Sequence, residues 1–201
     1  MKLKYTALWL GLICVFVFIL QSIFGTEYFL LINELKFTQP WRILTSIFAH
    51  SGGAHLIANL FSLVLFGLIL EGRIGAKRVL WLFLSSGILI NLFSPYERSL
   101  GASGAIFAIL GVLIILRPWM IIWLQGIPLP MFLAGLVWLV IDLFGVFHPT
   151  NVANLAHIGG LFVGVIYGIF LWKRFGDRWG RKKRDIHLEK KAEEFDRKFM
   201  N

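Results

Sequence analysis

The sequence predicts an all-α polytopic membrane protein, a bundle of six transmembrane helices. Its 201 residues are 58% hydrophobic and only 15% charged, where an ordinary soluble domain carries about 25% charged residues. Mean hydropathy is +0.76. The apolar residues gather into six runs, Leu8–Phe24, His55–Leu70, Val79–Phe93, Leu100–Leu116, Met131–Phe147 and Val152–Trp172. One six-span domain over residues 1–172 uses up the apolar sequence, and residues 173–201 remain as a basic tail.

The first run follows Met1-Lys-Leu-Lys-Tyr5, a basic start that resembles a signal peptide. Its far end, Leu20-Gln-Ser-Ile-Phe-Gly-Thr26, lacks a small-x-small cleavage site, so the run reads as a retained span. Cys14 lies inside it. A single cysteine excludes a disulfide framework and a cysteine metal site. The connector Gly25–Ala54 is too long for a tight turn and mixes apolar residues with Glu27, Glu34 and Lys36. It reads as a structure lying in the membrane interface, with the amphipathic ring of Trp41 at headgroup level. Several of the runs are shorter than the ~20 residues that cross a typical bilayer core. The third spans ~22 Å as a helix, so the helices extend into their flanks or the bilayer thins locally.

Net charge is +9, a balance that usually raises nucleic acid as a partner, but its distribution argues against that. Eleven of the twenty Lys and Arg lie in the tail from Lys173 onward. A juxtamembrane polybasic segment signals orientation and attracts anionic lipid. Alternate connectors divide the basic residues seventeen to three, with Lys36, Arg42 and Arg98 alone on the poorer side. The positive-inside rule then predicts a multi-pass protein of the cell membrane with both termini cytoplasmic. In the tail, Leu188, Ala192, Phe195 and Phe199 recur at helical spacing, so it reads as a surface-associated amphipathic helix or a loosely ordered cytoplasmic tail.

The chemistry concentrates in polar residues set inside apolar runs. Ser103 heads the fourth run in Gly101-Ala-Ser103-Gly104, and His157 lies in Ala153-Asn-Leu-Ala-His157-Ile-Gly-Gly160 of the sixth. The predicted topology puts both at one depth, toward the outer side. Ionisable groups at membrane depth are costly and default to a functional reading, and a hydroxyl with an imidazole forms an activated nucleophile. In the sixth run Gly160, Gly164 and Gly168 share a face with His157; Gly104, Ala108 and Gly111 form a second small-residue stripe. Such stripes let membrane helices approach closely. His55 and Asn59, four apart, share a helix face in the second run. They can hold the oxygen of a tetrahedral intermediate together with the Ser103 N–H, or simply glue helices by hydrogen bonds. His50 and His55 read as lying on different helix faces, without a thiolate or carboxylate beside them, so no metal site is expected. Asp142 is the one acid inside a span. It sits either near Ser103 and His157 or at the interface, and without it the reading is a Ser–His dyad. Glu71, at the opposite end of the second run, reads as a structural cap or a partner for Arg73, Lys77 or Arg78.

Taken in order, these residues resemble the rhomboid family of intramembrane serine proteases. The resemblance covers nearly the whole chain: six spans, a first loop with Trp41-Arg42, His50-x4-His55-x3-Asn59, Gly101-Ala-Ser103-Gly104 and His157-x2-Gly160-x3-Gly164. It implies a rhomboid-like bundle that hydrolyses peptide bonds in or near transmembrane segments of membrane-protein substrates. Ser103 is then the nucleophile and His157 the base, while His55, Asn59 and the Ser103 N–H make an oxyanion hole. The fifth span and its neighbouring loop gate substrate entry, and the site opens to the extracytoplasmic side. The resemblance implies no cofactor. Phe107 departs from the family pattern, where many members carry a tyrosine packed on the catalytic histidine; the ring can still stack, but its hydroxyl is missing. Two rival readings remain. One is a catalytically silent rhomboid-like binding or quality-control factor, although such proteins typically lack the serine or the histidine. The other is a small transporter or channel, which predicts repeat symmetry or a broken helix pair at midplane, neither of which the sequence shows. The natural substrate and the oligomeric state are not legible.

Overall fold

The computed structural model describes residues 4–124, 126–148 and 152–199, with side chains through residue 176. The helices are α1 (Thr6–Phe24), α2 (Trp41–Phe48), α3 (Gly53–Ile74), α4 (Ala76–Leu92), α5 (Ser103–Leu116), α6 (Met131–Phe147) and α7 (Asn154–Phe199). Each of the six apolar runs coincides with a helix, α1 and α3 through α7. The chain is a helical membrane bundle. α1, α3 and the Asn154–Gly176 part of α7 are each long and apolar enough to cross a membrane, and α5 and α6 are shorter apolar helices.

The helices differ in what their apolar surface meets. α5 is the central one. From Gly104 to Leu113 every residue except Phe107 is buried, and it packs against α3, α4, α6 and α7. A helix apolar all round belongs in a core. Leu63 of α3, Phe83 of α4, Ile109 and Leu113 of α5 and Met131 of α6 fill that core and are fully buried. The peripheral helices turn large apolar side chains outward, among them Trp9, Phe16 and Ile23 on α1, Val140 and Phe144 on α6, and Phe162 and Phe170 on α7. A soluble monomer does not tolerate apolar patches of that extent; in a membrane protein they face lipid.

The closest contact in the bundle is between α5 and α7, and the small-residue stripes account for it. A side chain at Gly160 would run into the backbone carbonyl of Gly104, one at Gly164 into that of Ala108, and one at Gly111 into that of Leu161. Backbone therefore lies on backbone along this interface, the arrangement small residues permit between membrane helices.

At the end of the bundle away from Ser103, Glu71 caps a different helix from its own. Its carboxylate accepts the Tyr5 N–H at 2.6 Å and the Thr6 N–H at 2.7 Å, satisfying orphan donors at the start of α1. Gly75, at φ +87°, turns the chain between α3 and α4 in one residue, a conformation that favours glycine.

The connector between α1 and α3 is folded against the bundle. Its residues Leu31–Ile32 (β1) pair antiparallel with Arg98–Ser99 (β2), in the register Leu31 to Ser99 and Ile32 to Arg98. The buried Arg42 guanidinium donates to the carbonyls of Glu27 and Leu30 and to the Gln39 side chain. α2 lies on α4. Between α5 and α6 the chain forms a hairpin of Ile121–Leu124 (β3) and Ile127–Pro130 (β4), which the hydrophobic pattern did not announce. α7 continues as helix past residue 172, so the expected boundary between span and tail falls inside one helix. The tail side chains expected to form an apolar face, Leu188, Ala192, Phe195 and Phe199, lie outside the described side chains.

Candidate active site

Ser103 is the first residue of α5: Gly101 keeps the chain out of helical geometry, and Ala102, already in the right-handed region, starts the helix by accepting the Ile106 N–H. Gly101 has φ +125°, a region that side-chain-bearing residues avoid. Its N–H donates to the Ser46 carbonyl at 2.8 Å, and the Asn91 amide donates to Ser46 Oγ and to the Ile43 carbonyl. α2 and α4 thus hold the loop that presents Ser103. Gly101 also gives α3 its room: a Cβ there would lie 2.9 Å from the His55 ring.

His157 lies in the first turn of α7, level with Ser103 across the glycine interface. The Ser103 hydroxyl and His157 Nε2 are 2.8 Å apart. At the other ring nitrogen, His157 Nδ1 is 2.9 Å from Asp142 Oδ1 on α6. An ionised carboxylate only accepts, so this network assigns the proton to Nδ1. Nε2 is then the acceptor for the Ser103 O–H. The Phe107 ring, one turn after Ser103, lies flat on the imidazole with 4.3 Å between centroids and 7° between planes. Trp138 of α6 backs Phe107 edge-on. The stacking expected of Phe107 is present.

Of the two positions open to Asp142, beside the site or at the interface, it takes the first: it turns inward and is bonded to His157. Sequence spacing alone left its direction open. The register between α6 and α7 decides it: Gly145 lies against Asn154 as Asp142 lies against His157, three residues apart on each of two antiparallel helices.

Ser103, His157, His55, Asn59 and Phe107 line one open cavity of about 660 Å³. Ser51 Oγ is 3.0 Å from His55 Nδ1. Asn59 Nδ2 is buried and has no hydrogen-bond partner among the described residues, an expensive state for an amide unless something else uses the donor. Gly104, Gly160 and Gly164 act through the close approach of α5 and α7.

Three other residues are placed away from the cavity lining. His50 precedes α3 rather than lying on it, so the helix-face comparison with His55 does not apply; the two rings meet edge-on at 5.1 Å. His50 Nδ1 donates to the Phe48 carbonyl, and the Gln21 side chain brackets the His50 backbone. Burial, then the neighbouring His55, pushes its pKa from 6.5 down to about 4, so it is neutral at pH 7. Trp41 is half exposed and Arg42 organises the first loop; neither lines the cavity. The sequence reading missed Tyr96 and Arg98, which do line it. The Tyr96 hydroxyl accepts the Leu155 N–H at 3.0 Å, tying the loop before α5 to the start of α7. The only signal for either was a polar loop beside Pro95.

A model of the rhomboid domain matches residues 38–174. Among curated proteins, the mitochondrial RHOMBOID-like protein 6 of Arabidopsis thaliana is 34% identical over 147 residues, covering 70% of this chain and 47% of that protein. RHOMBOID-like protein 7 of the same plant is 37% identical over 139 residues, covering 66% of this chain and 43% of its own length. Rhomboid protease GluP of Bacillus subtilis is 38% identical over 133 residues, covering 62% of this chain and 24% of that protein. The chain spans about half or less of the length of these relatives. With the fold and these matches together, the chain belongs to the rhomboid family.

Proposed function

We propose that this chain is an intramembrane serine endopeptidase that cuts membrane proteins in or near their transmembrane segments. The observation that carries the reading is the 2.8 Å contact between Ser103 Oγ and His157 Nε2 at the wall of a cavity. Membership in a family that includes a relative named as a protease supports it.

In the proposed reaction, Ser103 Oγ attacks the scissile carbonyl carbon while its proton passes to His157 Nε2. The carbonyl oxygen takes the negative charge. Asn59 Nδ2, with its otherwise unused donor, the His55 ring and the Ser103 N–H then stabilise it. The N–H groups in the first turn of α5 have no intrahelical acceptor, and the positive end of the helix dipole points the same way. The C–N bond breaks, His157 returns the proton to the leaving amine, and an acyl-enzyme remains on Ser103. Water from the cavity, deprotonated by His157, hydrolyses that ester and restores the hydroxyl.

The charge distribution supports cytoplasmic termini and a site that opens to the extracytoplasmic side. It also supports residues 1–172 as the catalytic membrane domain and the basic segment 173–201 as a tail that meets anionic lipid.

The test is cleavage of a generic single-span membrane protein by the purified chain in detergent or liposomes. Ser103→Ala and His157→Ala are each expected to lower the rate by about three orders of magnitude or more. Equal cleavage by wild type and Ser103→Ala sinks the protease reading and leaves a non-cleaving, client-binding role.

A further inference from the structure

We infer that Asp142 is a positioning residue for His157, so that the nucleophile works through a chain of three residues. This rests on the proposed protease reading and goes beyond the Ser–His pair that carries it. Asp142 is 4% exposed, and its helix neighbours Val140, Ile141, Leu143 and Phe144 are exposed apolar residues. A carboxylate in such a segment is costly and calls for a partner. The described partner is His157 Nδ1, at 2.9 Å.

The geometry gives the carboxylate a task that the other contacts cannot perform. Phe107 stacks on the face of the imidazole and fixes the plane of the ring, but it is indifferent to where the proton sits. Ser103 offers a hydroxyl that can donate or accept, so it does not choose a tautomer either. Asp142 accepts only. It keeps the proton on Nδ1 and leaves the Nε2 lone pair facing Ser103. When Nε2 takes the Ser103 proton, the imidazolium already has a carboxylate beside it, and that carboxylate does not itself take the proton. Gly145 eases the approach of α6 to α7 there: a Cβ would lie 2.6 Å from Asn154 Nδ2.

The experiment compares the full chain in detergent with Asp142→Asn and Asp142→Glu, using two readouts. The first is kcat and KM for a single-span substrate. Asp142→Asn is expected to lose about 10²–10⁴-fold in kcat, the scale of a lost orienting carboxylate, with KM within about threefold of wild type. Asp142→Glu keeps an acceptor-only group and recovers at least tenfold over Asn. The second readout is the ¹⁵N spectrum of labelled histidine, with the His157 signals assigned by their loss in His157→Gln. Wild type and Asp142→Glu are expected to hold His157 with its proton on Nδ1; Asp142→Asn shifts population to the Nε2–H form. An unchanged tautomer in Asp142→Asn overturns the inference, whether or not kcat falls, as does wild-type kcat in that variant. The spectrum does not depend on catalysis. If Ser103→Ala cleaves like wild type, the protease reading fails by itself, and the tautomer still judges the placement of Asp142. If Asp142→Asn does not fold, the Glu variant decides: loss of the Nδ1–H tautomer there also overturns it.

Discussion

α5 and α6 both reach His157 through α7, but they are held to it in opposite ways. α5 meets α7 backbone to backbone, with glycine on both sides, and is buried almost throughout. α6 meets α7 through side chains, Asp142 on His157 and Gly145 beneath Asn154, and turns much of its surface outward. The first interface has no side chain between the two backbones to move aside. The second can loosen by rotating a side chain. The Ser103–His157 contact is thus on the backbone-packed interface, and the Asp142–His157 contact is on the one made by side chains. In the proposed protease such a division lets one wall move to admit substrate while the serine stays fixed.

Substitutions at the two interfaces put the contrast at risk. Gly160→Ala is expected to do the most damage to rate and stability together, because the new methyl meets the Gly104 carbonyl, which is backbone. A displacement of about 1 Å at the reacting atoms costs roughly 10²-fold in rate, and overpacking costs about 1–3 kcal/mol. Cleavage assays and thermal unfolding in detergent measure the two. Asn59→Ala comes next. It leaves both interfaces intact and removes one proposed oxyanion donor, so kcat is expected to fall by about 10²–10³ with little change in melting temperature. Gly145→Ala is expected to be milder than Gly160→Ala, because its methyl meets a side chain, Asn154, where that of Gly160→Ala meets backbone. A less than tenfold loss in kcat fits the contrast, and equal damage from the two glycine changes breaks it.

The smallest effect concerns pH and lies away from both interfaces. His50 is buried and neutral, with its pKa lowered from 6.5 to about 4. Between those values the unfolded chain binds a proton there and the folded chain does not, so stability falls as pH drops from about 6.5 toward 4. Melting temperatures at pH 7 and pH 5 measure this. His50→Asn removes the titrating group and is expected to show a smaller drop than wild type.

Much of this was legible in the sequence, and the parts that were not share a cause. Apolar run lengths gave the six bundle helices. The phase of Gly160 and Gly164 with His157 anticipated the α5–α7 contact, because helical spacing reports which residues share a face. The same spacing says nothing about how a helix is rotated against a neighbour. Asp142 was visible as a lone acid in an apolar run, yet its direction depended on the register between α6 and α7. Glu71 looked like a cap or a partner for nearby arginines, and it caps α1, which lies sixty-five residues away in sequence. The hairpin Ile121–Pro130 has strands of four residues with two prolines in the second, too short and too irregular for a period-two signal. Tyr96 and Arg98 entered the cavity because β2 pairs with β1, a contact made across most of the first half of the chain.

The central claim is that Ser103 is a nucleophile activated by His157. Exposing the purified chain to a fluorophosphonate, which reacts covalently with activated serine hydroxyls, and locating the adduct by peptide mass spectrometry tests it directly. The account predicts labelling at Ser103 in the wild type and its loss in His157→Ala. Labelling at the same rate in both, or an unlabelled Ser103 in a wild type that is folded and cleaves substrate, would contradict it.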